Sequence, residues 1–265
     1  MWQKHRTRSG RSISLGLPFL LLSTTWVLPR TARPNVDLVA DVWFMSEDYR
    51  DYTDAVEGVG DVNGDGYVDI VIGSEDSAEA FNHAGKVYLF FGRVFWFHDY
   101  SLGDADASFL GEAYNDAAGR DVAGVGDVNR DGYDDFLISA PRRSTGLQSD
   151  GEVYLFYGPL EQAVSSDDAH VVFQGGADDE FFGYSMAGDL DMNGDGRPDL
   201  VVGSPISQDD RGACERNAGR AFVFQGPFEG TIGPVDAARV LQGTTRIEQL
   251  GDPVVTGDFD GDGLD

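Results

Sequence analysis

A period of about 65 residues governs this chain. The acidic stretch GDVNGDGYVDIVIGS (60–74) returns as GDVNRDGYDDFLISA (126–140), as LDMNGDGRPDLVVGS (190–204) and, shortened, as GDFDGDGLD (257–265). Its leading aspartates, Asp61, Asp127, Asp191 and Asp258, stand 66, 64 and 67 residues apart. Two other blocks keep the same step. One is GKVYLFFG (85–92), GEVYLFYG (151–158) and GRAFVFQG (219–226); the other is ASFLGE (107–112), HVVFQGG (170–176) and RVLQGT (239–244). An earlier copy of the last block is ADVWFMSE (40–47), ahead of the first acidic stretch.

Each unit reads as four short strands. The first is a glycine-rich lead-in such as DVAGVG (121–126), the second DIVIG, DFLIS or DLVVG, the third the VYLFF type and the fourth the FLGE type. Strands two and three are nearly continuous apolar runs, the pattern of a sheet covered on both faces. No segment after residue 36 shows helical periodicity. Four-stranded antiparallel units of fixed length, buried on both faces, predict an all-β fold of β-propeller blades packed face to face. The limits read by period are a leader (1–35) and a repeat segment (36–265), divided at about 40–106, 107–169, 170–238 and a shortened 239–265.

The acidic stretch supplies oxygen ligands at fixed positions. Counting from Asp61, they fall at one (Asp61), three (Asn63), five (Asp65), seven (the Tyr67 carbonyl) and nine (Asp69), with Gly66 at the turn. Repeat two offers Asp127, Asn129, Asp131, the Tyr133 carbonyl and Asp135; repeat three offers Asp191, Asn193, Asp195, the Arg197 carbonyl and Asp199. Repeat four has Asp258, Asp260 and Asp262, but Asp265 stands at position eight, so that site is expected to be weak or absent. Odd-numbered oxygen donors around a glycine turn suit a hard cation of high coordination number, and the flexible loop favours Ca2+ over Mg2+. A helix-flanked calcium loop would need a bidentate acid at position twelve; that position holds Ile72, Ile138 and Val202. Without metal, the clustered carboxylates are expected to raise one another's pKa values. The cation's role is structural, joining strands one and two, and its binding energy contributes to folding, with a Kd of about 10⁻⁴ to 10⁻³ M as in other extracellular modules.

Charge excludes some partners. The formal net charge is −27, and six of the 19 basic residues lie before position 36. Nucleic acid and anionic membrane need clustered Lys and Arg, which the remainder lacks. The N-terminus places basic residues before an apolar run, Ile13 to Leu28, the order of a secretory signal peptide. The run is short for a membrane span, so the product is expected to be secreted or at the cell surface with no stable anchor after cleavage. Cys214, the single cysteine, allows no internal disulfide and reads as an incidental loop thiol.

No catalytic constellation is present. His5, His83, His98 and His170 are scattered, and neither a nucleophile elbow nor a phosphate-binding loop occurs. Binding is expected in the strand two–three connections, 74–85, 140–151 and 204–219, which include Arg142 and Arg143 and lie on the face opposite the acidic loops. The aromatic stretch VFWFHDY (94–100) is expected to pack against a neighbouring blade.

The order of aspartate-rich loop, strand, Ser-Ala-Pro or Gly-Ser-Pro and Tyr-Leu-Phe strand resembles the FG-GAP repeat of integrin alpha chains and their bacterial relatives. Phe182-Gly183 and Ser139-Ala140-Pro141 carry the two halves of that name. Repeat two departs with Ala118-Gly119, and repeat one with Ser74-Glu75 where proline would follow. The resemblance covers about 40–265 and implies calcium-bearing blades, usually seven to a ring, engaging protein or extracellular ligands and partner subunits on the face away from the metals. It implies a role in cell adhesion or protein–protein recognition. The alternative is a non-catalytic propeller module accessory to a hydrolase or carbohydrate-active domain missing from this chain, and a third is a purely structural surface repeat. Three repeats and a shortened fourth do not close a seven-bladed ring, so an incomplete product with an open, association-prone blade edge is expected.

Overall fold

The computed structural model describes residues 13–15, 42–46, 53, 55–94, 99–160, 164–206, 218–245, 248–255 and 257. The fourth acidic loop, Cys214, most of the 204–219 connection and nearly all of the leader lie outside the described residues.

Two short strands come first, β1 (Ile13–Leu15) and β2 (Val42–Met45). Next in the chain come β3 (Ala55–Gly60), β4 (Asp69–Ser74), β5 (Lys86–Phe90), the two-residue β6 (Tyr100–Ser101) and β7 (Ala107–Leu110). The pattern repeats as β8 (Val122–Gly126), β9 (Asp135–Ala140), β10 (Glu152–Phe156) and β11 (Val171–Gln174). A third round has β12 (Ser185–Leu190), β13 (Asp199–Ser204), β14 (Arg220–Gln225), β15 (Gly230–Ile232) and β16 (Arg239–Gln242).

The described residues fall into two compact units, one within 1–49 and 93–104, the other within 50–92 and 105–265. In the smaller, β1 pairs antiparallel with β2, and β2 pairs parallel with β6, where Tyr100 stacks on Phe44 at 6.0 Å. Residues 95–98 of the aromatic stretch lie outside the described residues.

The larger unit holds three antiparallel sheets, β3-β4-β5-β7, β8-β9-β10-β11 and β12-β13-β14-β16. Each holds the four strand types read from the repeats, with its fourth strand (β7, β11 or β16) just past the limit drawn above for that unit, because the sheet closes on the strand that follows. Together they form part of a β-propeller. Strand one bulges just before each acidic loop, at Gly58/Gly60, Gly124/Gly126 and Ala187/Leu190; a bulge bends the strand and re-aims the turn that follows.

The continuous apolar runs are buried as their pattern requires: β9 and β13 at every position, and β5 throughout. Between the first two sheets, Val71, Val87, Leu89 and Phe109 meet Val122, Phe136, Ile138 and Phe156. Between the second and third, Leu137, Val153, Leu155 and Phe173 meet Phe182, Val202, Phe222 and Phe224. Burial of each such side chain is worth about 1.5–3 kcal/mol, so these aromatic seams hold the blades together.

The Phe-Gly pair straddles one seam. The Phe182 N–H donates to the Asp150 carbonyl of the second sheet at 3.1 Å, and the Gly183 N–H to the Gly203 carbonyl of the third at 3.0 Å. Ala118 and Gly119 make the same two bonds one blade earlier, to Ala84 and Ser139. The backbone does the joining, so alanine can replace phenylalanine there.

A second tie was not legible in the repeats. β15, from the third round, pairs parallel with the outer edge of β11, and Val164 bridges Phe109 of β7 in the same way. Each tie leads into a one-turn 3₁₀ helix, Ser166–Asp168 or Pro234–Asp236. Its last aspartate accepts the N–H three residues back: Ser165 to Asp168 and Gly233 to Asp236, both 2.9 Å. The smaller unit repeats this at Ser101 and Asp104, 2.8 Å.

Candidate metal centre

The three described acidic loops are near copies. In the first, the Asp65 N–H donates to Asp61 Oδ1 and Asn63 Oδ1, both 2.9 Å, and the Gly66 N–H to Asp61 Oδ2 at 2.7 Å. The Tyr67 N–H donates to Asp65 Oδ1 at 3.0 Å. Loop two repeats this set on Asp127, Asn129 and Asp131, and loop three on Asp191, Asn193 and Asp195. Positions one, three and five are therefore folded over one turn, as the spacing predicts.

Position nine sits apart, at the head of strand two. Asp69, Asp135 and Asp199 are fully buried. Asp69 Oδ2 accepts the Val62 N–H at 2.9 Å and its Oδ1 the Gly92 N–H at 2.6 Å. Asp135 binds Val128 and Gly158, and Asp199 binds Met192 and Gly226, in the same manner. Each ties its loop to the start of the strand three–four connection.

Burial pushes the Asp69 carboxyl up to about 6, against its two backbone N–H bonds, and Asp65 and Asp61 add to the rise. Asp135 is pushed to about 7 by burial, with Asp131 and Asp127 contributing, and Asp199 is raised by the same causes. Burial is thus the main cause at position nine, and the repulsion expected from the loop composition adds the smallest part of each rise.

Among the described residues no three or more His, Cys, Asp or Glu side chains gather into a metal-holding group. The side-chain oxygens turn onto the loop's own N–H groups, and the Asn63 amide points Nδ2 at Asp65 Oδ2, 3.0 Å away. The same contact occurs at Asn129 and Asn193. The donor set still fits a hard cation. It is all oxygen, a carboxylate has about four lone-pair sites, and the amide N–H now supplies partial positive charge where a cation would.

Neighbouring loops are linked in ways the repeat pattern did not reveal. Asp134, at position eight of loop two, accepts the Asp61 N–H at 2.7 Å, and its own N–H donates to the Asp61 carbonyl at 3.2 Å. Arg130 donates through Nη2 to the Gly196 carbonyl of loop three at 2.9 Å. The signal lay in the variable positions, where a repeat comparison does not look.

The opposite face carries the strand two–three connections. Arg143 is held by Asp116 (2.9 Å), Glu112 (3.0 Å) and Glu152 (3.6 Å). Glu75, where repeat one lacks proline, meets Arg120 Nη1 of the second repeat at 3.3 Å, and that guanidinium lies 4.2 Å above the Tyr184 ring of the third. Phe81, Tyr114 and Leu147 are exposed in the loops at this end. No helix among the described residues is long and apolar enough to cross a membrane.

The family model described as FG-GAP repeat matches residues 56–90, 118–156 and 182–224. The chain is similar to integrin alpha-6 of Gallus gallus, 32% identical over 149 residues, covering 54% of this chain and 12% of that protein. It is similar to integrin alpha-IIb of Homo sapiens, 32% identical over 150 residues, covering 55% and 14% respectively. Phosphatidylinositol-glycan-specific phospholipase D of Bos taurus is 32% identical over 160 residues, covering 56% of this chain and 18% of that protein. The chain thus spans between 12% and 18% of the length of these relatives.

Proposed function

This chain carries three FG-GAP repeats, and on that premise we propose that it is part of an exported, calcium-stabilised propeller acting in adhesion or protein recognition. The observation that carries the calcium reading is the threefold recurrence of a fully buried aspartate at position nine beneath an oxygen-lined turn. Asp61, Asn63, Asp65, the Tyr67 carbonyl and Asp69 would hold one ion. Asp127, Asn129, Asp131, Tyr133 and Asp135, and Asp191, Asn193, Asp195, Arg197 and Asp199, would hold two more. Bound there, calcium supplies positive charge that offsets the carboxylate repulsion. The protein's own part is to pin position nine on two N–H groups and to fold positions one, three and five over one turn. The role is structural, and the chain is proposed to have no catalytic activity of its own.

Recognition is assigned to the face opposite the acidic loops, where Phe81, Tyr114 and Leu147 stand exposed on a scaffold fixed by Arg143 and Arg120. Similarity to integrin alpha chains supports an extracellular protein partner. Similarity to a phospholipase D favours a second reading, a propeller accessory to a hydrolase. Calorimetric titration with calcium tests the first claim: we expect a weak exothermic event, lost stepwise in Asp65→Ala and Asp131→Ala, and the absence of heat at millimolar calcium would sink it. Retention of the chain on immobilised extracellular-matrix proteins, weakened by Tyr114→Ser, would support adhesion over the accessory role.

A further inference from the structure

The three acidic loops differ at position four, and that difference has chemical weight. Of the seven asparagines in the chain, only Asn63 and Asn193 are followed by glycine; Asn129 is followed by Arg130. The backbones are otherwise matched: the residue after asparagine has φ +78° at Gly64, +76° at Gly194 and +64° at Arg130. The asparagine Oδ1 accepts the N–H two residues on at 2.9, 2.9 and 2.8 Å in loops one, two and three. Asn129 and Asn193 are both exposed. Asn63 is half-buried, so the matched comparison is Asn193 against Asn129: conformation and exposure are shared there, and the neighbouring side chain is the variable.

We propose that Asn63 and Asn193 are sites of spontaneous deamidation and that Asn129 is protected by Arg130. The bond from Oδ1 to the N–H two residues on folds each carboxamide back over its own C-terminal peptide, the side from which that peptide's nitrogen attacks. In loop one the Gly64 nitrogen loses its proton to solvent and bonds to Asn63 Cγ. The Cγ–Nδ2 bond breaks, and the amide nitrogen takes up a proton and leaves as ammonia. Water then opens the cyclic imide at either carbonyl, giving an aspartyl or an isoaspartyl residue at position 63. With no Cβ, glycine removes the neighbouring side chain from that nitrogen; at Gly64 the Tyr133 ring of loop two stands where a Cβ would be. Arg130 crowds the same nitrogen, and its guanidinium is further tied to the Gly196 carbonyl.

The consequence is asymmetric. An aspartyl product adds a negative charge at position three, the residue type that the fourth loop already has at Asp260. An isoaspartyl product lengthens the main chain by one carbon and breaks the register of the turn's hydrogen bonds. Loops one and three alter with age while loop two does not. The Asp-Gly pairs at positions five and six occur in all three loops and rearrange without a change of mass, so they do not confuse the readout.

The test is peptide mapping by mass spectrometry of the full folded chain, incubated at mildly alkaline pH with a chelator so that cation binding plays no part. Peptides holding Asn63 and Asn193 are expected to gain about one mass unit. The expected rate is at least about ten times that of the Asn129 peptide. Arg130→Gly should bring Asn129 up to the rate of the other two. Equal rates in all three loops of the native chain would overturn the proposal. So would unchanged Asn63 and Asn193 peptides in the folded chain, whether or not the urea-unfolded chain reacts.

Discussion

Asp121 sits where two blades meet, and its carboxylate answers to both. One oxygen accepts the Val122 N–H at 3.0 Å and the other the Met186 N–H of the next sheet at 2.6 Å. Burial pushes its pKa from 3.8 up to about 6, opposed by those two bonds and by Arg120, while Glu57 of the preceding blade adds to the rise. Because the folded chain holds this proton more tightly than the unfolded one, its stabilising effect is present below 3.8 and lost as pH climbs through about 6. The swing is up to about 3 kcal/mol. Asp121→Asn should therefore flatten the fall in stability over that window, measured as the variant's difference from the parent in urea unfolding with calcium present. A parallel pair of curves would show that the group ionises unhindered. Gly183 makes a second case at this scale. Its φ is +86°, and an added Cβ would lie 2.5 Å from Val153 Cγ2. Gly183→Ala should cost about 1–3 kcal/mol or more from backbone strain with overpacking on top, read as a lower urea midpoint with an unchanged slope.

At the scale of elements, the seams between sheets carry most of the energy. Phe182 is fully buried, with ring centroids 5.5 Å from Phe222 and 6.1 Å from Phe224. Phe182→Ala should lose about 3–5 kcal/mol, whereas its counterpart Ala118 shows that the seam one blade earlier closes without an aromatic ring. The 3₁₀ turns give a gentler test: Asp168→Ala and Asp236→Ala each remove the acceptor of one backbone N–H, and the thermal midpoints of the two variants should fall slightly and together. The strands, their order and the acidic loops were legible in the sequence because each repeats within one period and has a local physical signature. The inter-blade ties were not. Asp134 to Asp61 joins residues 73 apart, and Arg130 to Gly196 joins residues 66 apart; both use positions that change from repeat to repeat. The 3₁₀ turns had a faint signal, an Asp-Ala pair before each fourth strand at Asp104, Asp168 and Asp236, too short to show as helical periodicity. The candidate site was legible in its ligand types, and its burial was not, because only the fold decides that position nine is the one closed to water.

Across the whole molecule, a net charge of −27 makes compactness sensitive to cations and to salt. Calcium should raise the thermal midpoint and a chelator lower it. The gap between the two should narrow as monovalent salt rises, because screening at about 0.1–1 M shortens the reach of carboxylate repulsion. A salt-independent gap would mean that repulsion among exposed carboxylates is not what the cation relieves. Fluorimetric melts at several ionic strengths measure this directly.

The parallel tie between β11 and β15 has a mechanical consequence. Val171, Val172 and Phe173 stand in register with Gly230, Thr231 and Ile232, and both strands run the same way. Tension applied to the two ends of the chain draws these strands in opposite senses along their length. Their three register pairs are loaded together in shear, whereas the antiparallel strands of a hairpin are peeled apart one bond at a time. Under force, the outer edges β7 and β11 are therefore each gripped by the blade that follows, and the weakest place to tear is an edge without such a grip.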